Sequence, residues 1–256
     1  MSITASLALR ATSAAALALI RHHDHLVPIL KSTCLFPLKR VRVSCAAILL
    51  LCKDDRYLLI RNEHRPEEFG PIGGVFKYYA TAERALEDLS FEPQLTRAGN
   101  TAPLDGDLRG FVPSLVLGPF LSWLKRRRDR EQSECIRREL HEEVTAIGQG
   151  EALKLFAEAR FNLVRTVHEG PATVAGMRYV QFRYIEVYSA LDANDGIDFL
   201  YNAADTDDDV ITATRREIRA CRTDRGHVIG SHASYLIGKQ RFGGEPVPMV
   251  GSADID

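Results

Sequence analysis

The stretch "RRELHEEV", residues 137–144, crowds two arginines and three glutamates around Leu140 and His141, in a chain whose 33 Lys+Arg and 34 Asp+Glu nearly cancel. An α-helix turns by about 100° per residue, so relative to Glu139, Glu142 lies at roughly −60° and Glu143 at roughly +40°. The three carboxylates share one face. His141 points away from it, and Leu140 and Val144 flank it, free to meet a core. Three neighbouring carboxylates repel one another unless water or a cation screens them, and a hard divalent ion such as Mg²⁺ would turn that repulsion into a binding site. The same residues also suit a solvated helix face with Arg137 and Arg138 as partners. Spacing alone leaves both readings open.

Upstream, "RVRVSCAAILLLCKDDRYLLIRNE" from residue 40 is β-branched and leucine-rich on both sides of "KDD", which predicts a hairpin. "FGPIGGVFKYY" follows, and Pro71, Gly73 and Gly74 predict a tight loop whose backbone can approach another group closely. Residues 80–90 read as helix and 92–107 as a turn-rich surface loop. A long helical region then runs through 112–144, broken or bent near Gly118 and Pro119. Downstream, strands are predicted at 160–168 and 176–190 with "EGPAT" as their link. "VITATRREIRACR" reads as a strand leading into a helix, and "SHASYLIG" as a closing helix. The organisation expected is an N-terminal helical extension over 1–40, a main domain over 41–240 with an insertion at about 76–129, and a flexible Gly/Pro-rich tail over 241–256. The fold class is α/β, a mixed curved sheet between helices.

At 256 residues with 45% hydrophobic content, the chain can build a sizeable core. A net charge of −1 gives no general basic field, so stable nucleic-acid binding is not expected and an anionic ligand must be met locally. Five cysteines, Cys34, Cys45, Cys52, Cys135 and Cys221, include no CxxC pair, and their odd number argues against a simple disulfide framework; a reducing cytoplasm fits them. The Ala-rich start is interrupted by Arg10, which favours a packed amphipathic helix over a targeting segment and predicts no membrane span. His22, His23 and His25 lack a later partner at ligand spacing and suit a solvated helix end better than a metal cluster. "KRRRDR" at 125–130 either steers anions or decorates a helix end, and Trp123, set among leucines, belongs to a core or interface.

"RELHEEV" resembles the Nudix box, in which a glycine, five residues, a glutamate and seven residues precede R-E-U-x-E-E-x-G-U, with U aliphatic. Arg138, Glu139, Leu140, Glu142 and Glu143 match it, "PIGGVFK" resembles its opening glycines, and "AAILLLCKDDRYLLIRN" is similar to the strands that lead into it. Three positions depart: Gly74 lies far upstream of Arg138, Arg130 stands where the first glutamate belongs with Glu131 one place off, and Thr145 replaces the box glycine. A box split in this way, with "DLRGFVPSLVLGPFLSWLKRRRDRE", "GMRYVQFRYIEVY" and "ATRREIRACRTDRGHVIGSH" around it, resembles the SMODS-associated Nudix family over residues 41–238. SMODS proteins are bacterial synthetases of second-messenger oligonucleotides.

The resemblance implies a Nudix-like α/β/α sandwich with a helical insertion inside the box. It implies hydrolysis, or non-catalytic sensing, of a nucleotide-derived diphosphate ligand in a bacterial antiviral system that includes such a synthetase. Glu139, Glu142 and Glu143 would ligate Mg²⁺ or Mn²⁺, with the Gly74 carbonyl as a further donor. Arg138 would orient a carboxylate, and Glu143 or Glu142 would take a proton from water. Lys77 and Arg109 are candidate phosphate contacts or ordinary surface charges. Gln181 and Arg183 alternate onto one strand face, lining either a base pocket or a solvated surface.

Overall fold

The structure, a computed structural model, describes residues 27–95 and 106–238. Most of the N-terminal extension, the three histidines near residue 23, the centre of the 92–107 loop and the tail lie outside the described residues.

The apolar run at 40–50 forms the central strand β1 (Arg40–Leu50), buried on both faces along most of its length. β2 (Cys52–Lys53), β3 (Arg56–Asn62), β4 (Arg65–Gly70) and β5 (Gly73–Val75) follow. The turn expected at "KDD" is present, with Asp54 and Asp55 at φ 50° and 57°, the left-handed pair that a two-residue hairpin turn requires. It joins only β2 to β3, with Cys52 opposite Tyr57. β1 belongs instead to a different sheet, because its two apolar faces need cover on both sides.

That first sheet has the order β6-β7-β1-β9-β8, where β6 is Glu92–Pro93, β7 is Arg109–Pro113, β8 is Arg160–Thr173 and β9 is Val180–Leu191; β5 also pairs with β1. β1 and β9 run parallel from Val41 opposite Val180 to Leu50 opposite Ser189. The second sheet has the order β10-β3-β4-β11, with β10 at Val210–Thr214, β11 at Val228–Ile229 and β2 added beside β3. Both sheets are mixed, so the architecture is the expected Nudix-like α/β fold with its strands divided between two packed layers.

The insertion after the glycine strand is less helical than expected. It contributes helix Glu83–Asp88 and helix Leu117–Arg126, but also β6 and β7. The helical region predicted for 112–144 is therefore corrected at two points. Its start belongs to β7, and the break falls not at Gly118 and Pro119 but after Arg126, where Arg127 turns left-handed at φ 55°. Pro119 sits in the first helical turn, where an N–H has no intrahelical acceptor to lose. "EGPAT" likewise lies inside β8, taken up by a register shift between Glu169 and Ala172, and is not a separate linker. "SHASYLIG" closes the fold as a 3₁₀ turn, Ser231–Leu236.

One core lies between β1, β9 and the helices, with Phe120, Trp123, Leu124, Ile136, Leu140 and Val144 packed on Val43, Cys45 and Phe182. A second core joins the two sheets through Ile48, Val187, Leu59 and Ile211. Within the first core sits a charged network. Glu186 is fully buried and accepts from Arg130 Nη2 and Arg127 Nη2 at 2.8 Å each, from Tyr184 Oη at 2.9 Å and from Tyr188 Oη at 2.5 Å. Arg130, 1% exposed, also donates to the carbonyls of Leu124 and Glu131, and its guanidinium lies 4.3 Å from the Phe76 ring centroid. Burial alone would raise the Glu186 carboxyl, but Arg130, the Tyr188 hydroxyl and Arg127 together hold it below its ordinary value. Two arginines of "KRRRDR" are thus internal struts that tie the insertion to β9. Among the described residues no helix is long and apolar enough to cross a membrane.

Removing one partner of a buried, hydrogen-bonded ion pair leaves an uncompensated charge. Glu186→Gln is expected to destabilise the protein by about 3–5 kcal/mol, read as a lower urea midpoint with little change in slope. A loss below about 1 kcal/mol would place the network's charge in contact with water.

Candidate functional site

β5 lies antiparallel to β1, with Gly74 opposite Ala47 and Gly73 opposite Ile48. The helix Ser133–Ala146 buries Cys135, Ile136, Leu140 and Val144 against the core, which turns its acidic flank onto β5. The approach is close. A Cβ on Gly74 would sit 1.9 Å from Glu139 Oε1, so no residue with a side chain fits there without moving the carboxylate. The Gly73 N–H donates to Glu143 Oε2 at 3.0 Å, and the Gly74 carbonyl accepts from Cys135 Sγ at 3.5 Å. The expectation that the distant glycine loop reaches the acidic helix is met at atomic contact.

Arg138 holds this arrangement. Its Nε and Nη2 grip both oxygens of Glu131 at 3.1 and 3.0 Å, Nη2 also reaches the Val75 carbonyl at 3.0 Å, and Nη1 bonds Glu139. Glu142 Oε2 lies 3.6 Å away and stays exposed. The Glu131 hydrogen bond, followed by the charges of Glu139 and Glu131, raises the already high Arg138 affinity for its proton. Glu131, one place off the box register, is therefore the partner of the box arginine. The non-helical stretch between the two helices takes up the offset, and its backbone bond from Glu131 N–H to the Lys77 carbonyl, at 2.9 Å, fixes it.

Burial pushes the Glu143 carboxyl up to about 8, with the Gly73 N–H opposing and Glu139, Glu142 and Glu63 adding to the rise. Burial also raises Glu139, against the pull of Arg138. A cavity of about 130 Å³, lined by Arg61, Glu63, Glu143 and Asp209 among others, opens beside Glu143 and has room for water. The oxygen donors Glu139, Glu142 and Glu143 suit a hard divalent ion in kind, and a cation beside the half-buried Glu139 and Glu143 would offset their mutual repulsion when ionised. Among the described residues no three His, Cys, Asp or Glu side chains already converge as a cage. In their place, Arg138 and the Gly73 N–H occupy Glu139 and Glu143.

The predicted ligand contacts divide, with Lys77 beside this centre and Arg109, Gln181 and Arg183 on the face of the first sheet away from the acidic helix. The Lys77 N–H donates to Glu131 Oε2 at 2.9 Å, and Lys77 pairs across a β-bridge with Asp107. Burial raises Asp107, against Arg109, Lys77 and Arg138, whose charges it feels together. Arg109 and Arg183 flank Ser44 across the sheet, and Gln181 lies beside Arg42 one pair further along the same face. This is no solvated surface, since Gln181 and Arg183 are 5% and 9% exposed. Arg183 is bound to Glu169 at 2.8 Å, whereas the Gln181 Nε2 has no hydrogen-bond partner among the described residues. Glu131 was singled out only as one place off the box register, and Asp107 and Arg42 were not singled out from the sequence. Arg42 left a signal, a charge inside the apolar run "VRVSC"; Asp107 left none beyond its turn-rich setting.

A glycine strand laid against a helix carrying RExxEE acids, on this α/β fold, is a Nudix-type site. Within that class the chain belongs to the SMODS-associated NUDIX domain family, which matches residues 40–237. No curated protein and no solved structure matches the chain.

A carboxyl whose folded pKa is raised binds its proton more tightly when folded, so its stabilising effect is complete below the unfolded value and is lost as pH rises through the folded one. For Glu143 that window runs from 4.5 to about 8. In EDTA the melting temperature is expected to fall by on the order of 5 °C between pH 5 and 8, and Glu143→Gln should flatten that slope. An equal slope in both proteins would mean that Glu143 is ionised throughout.

Proposed function

We propose that this protein binds a nucleotide-derived ligand through its diphosphate and hydrolyses it with Mg²⁺ or Mn²⁺. The observation that carries the reading is the placement of half-buried Glu139 and Glu143 against Gly73 and Gly74, with Arg138 anchored to Glu131 beneath them. Glu139, Glu142 and Glu143 would hold the ion, with the Gly74 carbonyl as candidate backbone donor. Bound there, a divalent ion neutralises diphosphate charge and acidifies water.

The chain's own groups supply the rest. Glu143 takes the proton of the attacking water as the water oxygen bonds to phosphorus and the bridging P–O bond breaks, its electron pair leaving on the bridging oxygen. Arg138 keeps the Glu139 carboxylate in place, and Glu142, exposed at the rim, completes the acidic face. Lys77 and Arg109 meet the phosphates, and Gln181 and Arg183 the nucleoside side. The family's SMODS association supports a ligand drawn from nucleotide signalling, alongside a second-messenger synthetase in bacterial antiviral defence; the proposal includes a cytoplasmic setting.

A second reading, sensing without turnover, is favoured by one observation: the acids are already engaged by Arg138 and the Gly73 N–H. Assays with Mg²⁺ and Mn²⁺ against dinucleoside polyphosphates, nucleotide sugars, ADP-ribose and cyclic oligonucleotides, alongside calorimetric binding, separate the two. For a hydrolase, Glu143→Gln should lower kcat by about 100-fold or more while the fold survives. Glu131→Gln should lower it as well, by loosening Arg138. Turnover that Glu143→Gln leaves intact would refute the site; tight binding by wild type without turnover would establish the sensor.

A further inference from the structure

Beyond the acidic helix, at the start of β1, a cavity of about 650 Å³ opens at the edge of the first sheet, within the roughly 300–1,000 Å³ range of small-molecule pockets. Arg40, Arg42, Gln94, Phe111, Arg178 and Tyr179 line it. Two features of this lining bear on what it can hold.

The first is Arg42. It is 4% exposed, yet both of its hydrogen bonds, at 3.0 and 2.7 Å, go to the neutral Oε1 of Gln94, and among the described residues no carboxylate lies within ion-pair distance. Burial first, and then the charges of Arg109 and Arg183, weaken its hold on its proton, lowering the pKa to about 10. Arg130 shows how this chain buries an arginine for stability, with a buried carboxylate against it. Among the described residues Arg42 has none, and a buried cation without a counter-charge is costly to the fold. The second feature is aromatic. Phe111 and Tyr179 meet edge to face at 5.4 Å, and the Arg40 guanidinium lies 5.2 Å from the Phe111 centroid. Such a group offers a stacking surface bordered by fixed positive charge. Among the described residues that line it, the one carboxylate, Glu92, is neutralised by Arg40 at 2.6 Å, which leaves Lys39, Arg42 and the exposed Arg178 to meet an anion. Gln181, whose buried amide nitrogen has no hydrogen-bond partner among the described residues, stands beside Arg42 and opposite the same stretch of β1 as Phe111.

We infer that this cavity is a second ligand subsite, one that takes a phosphorylated aromatic group, a nucleotide unit, at the end of the ligand far from the acidic helix. Its position defines the ligand class. Arg42 and Ala47, the residue opposite Gly74, are five residues apart on β1, about 16 Å, and strand alternation puts their side chains on opposite faces of the sheet, so a ligand that reaches both passes from one face to the other. Arg109 and Lys77 bridge that interval with further positive charge. A ligand that fills both places is elongated, with a second nucleotide unit beyond its diphosphate. This extended form rests on the diphosphate reading of the acidic site, whereas the subsite's own affinity for a nucleotide does not.

The test uses the full chain in EDTA, with calorimetric titration of AMP, GMP, CMP and UMP in separate runs, and adenosine and inorganic phosphate as controls. At least one nucleotide should bind more tightly than either control. Arg42→Met and Phe111→Ala should each weaken that nucleotide by about tenfold or more, and Arg178→Gln, on the surface, by a smaller factor. Glu143→Gln should leave it unchanged, which separates this subsite from the acidic site. Arg42→Met should also keep or raise the melting temperature, a result that a structural role for Arg42 would reverse. Absence of nucleotide binding by wild type, unaltered binding by the Arg42 and Arg178 variants, or a lower melting temperature for Arg42→Met would overturn the inference. Turnover of a longer substrate with this subsite disabled would overturn only the elongated-ligand part.

Discussion

The arrangement of this protein depends on what one guanidinium can hold. Arg138 donates at once to Glu131 ahead of its helix, to the carbonyl of Val75 on the glycine strand, and to Glu139 on its own helix. Glu131 and Val75 lie at the two ends of the insertion that splits the box. Without that fork, the glycine strand and the acidic helix would be joined only by packing and by the contacts of Gly73 and Cys135. A planar, permanently charged group with several donors in fixed directions suits the task, where a lysine would offer a single point. The insertion is tolerated because its ends are brought together by a directional, charge-assisted contact and not by chain connectivity.

The same chain treats its other buried arginines in contrasting ways, and the contrast separates stability from ligand chemistry. Arg130 is enclosed with Glu186, whose four hydrogen bonds leave little of its charge unanswered, so the ion pair serves as a joint between the insertion and β9. Arg42 is enclosed almost as completely but faces a neutral amide and other arginines. Charge buried with its partner braces a fold, whereas charge buried without one stores affinity for an anion. The glutamates follow the same logic with the sign reversed. Glu186 is held ionised by its arginines, while burial drives Glu143 toward the protonated form. One is a strut, and the other is poised to take up positive charge.

Local pattern carried far in this chain. The face shared by Glu139, Glu142 and Glu143, the core flank of Leu140 and Val144, the strand character of 41–62 and the left-handed turn at Asp54 and Asp55 all follow from helical and strand periods and from turn chemistry, which act over a few residues. The RExxEE acids with an upstream Gly-Gly were enough to suggest the family. Other features depended on partners distant in sequence. β1 leaves its expected hairpin because β9, far downstream, offers it a parallel partner. The arginines of "KRRRDR" read as surface charge until Glu186 is placed among them, and Glu131 reads as a misfit until Arg138 is seen to reach it. Arg42, Phe111 and Gln181 form one surface only because three strands from separate parts of the chain lie in register. The sequence by itself therefore determined which residues are charged, apolar or turn-forming and on which face of their own element they lie. Tertiary structure alone decided which charges are paired, because burial and counter-charge are set by neighbours that no local period specifies.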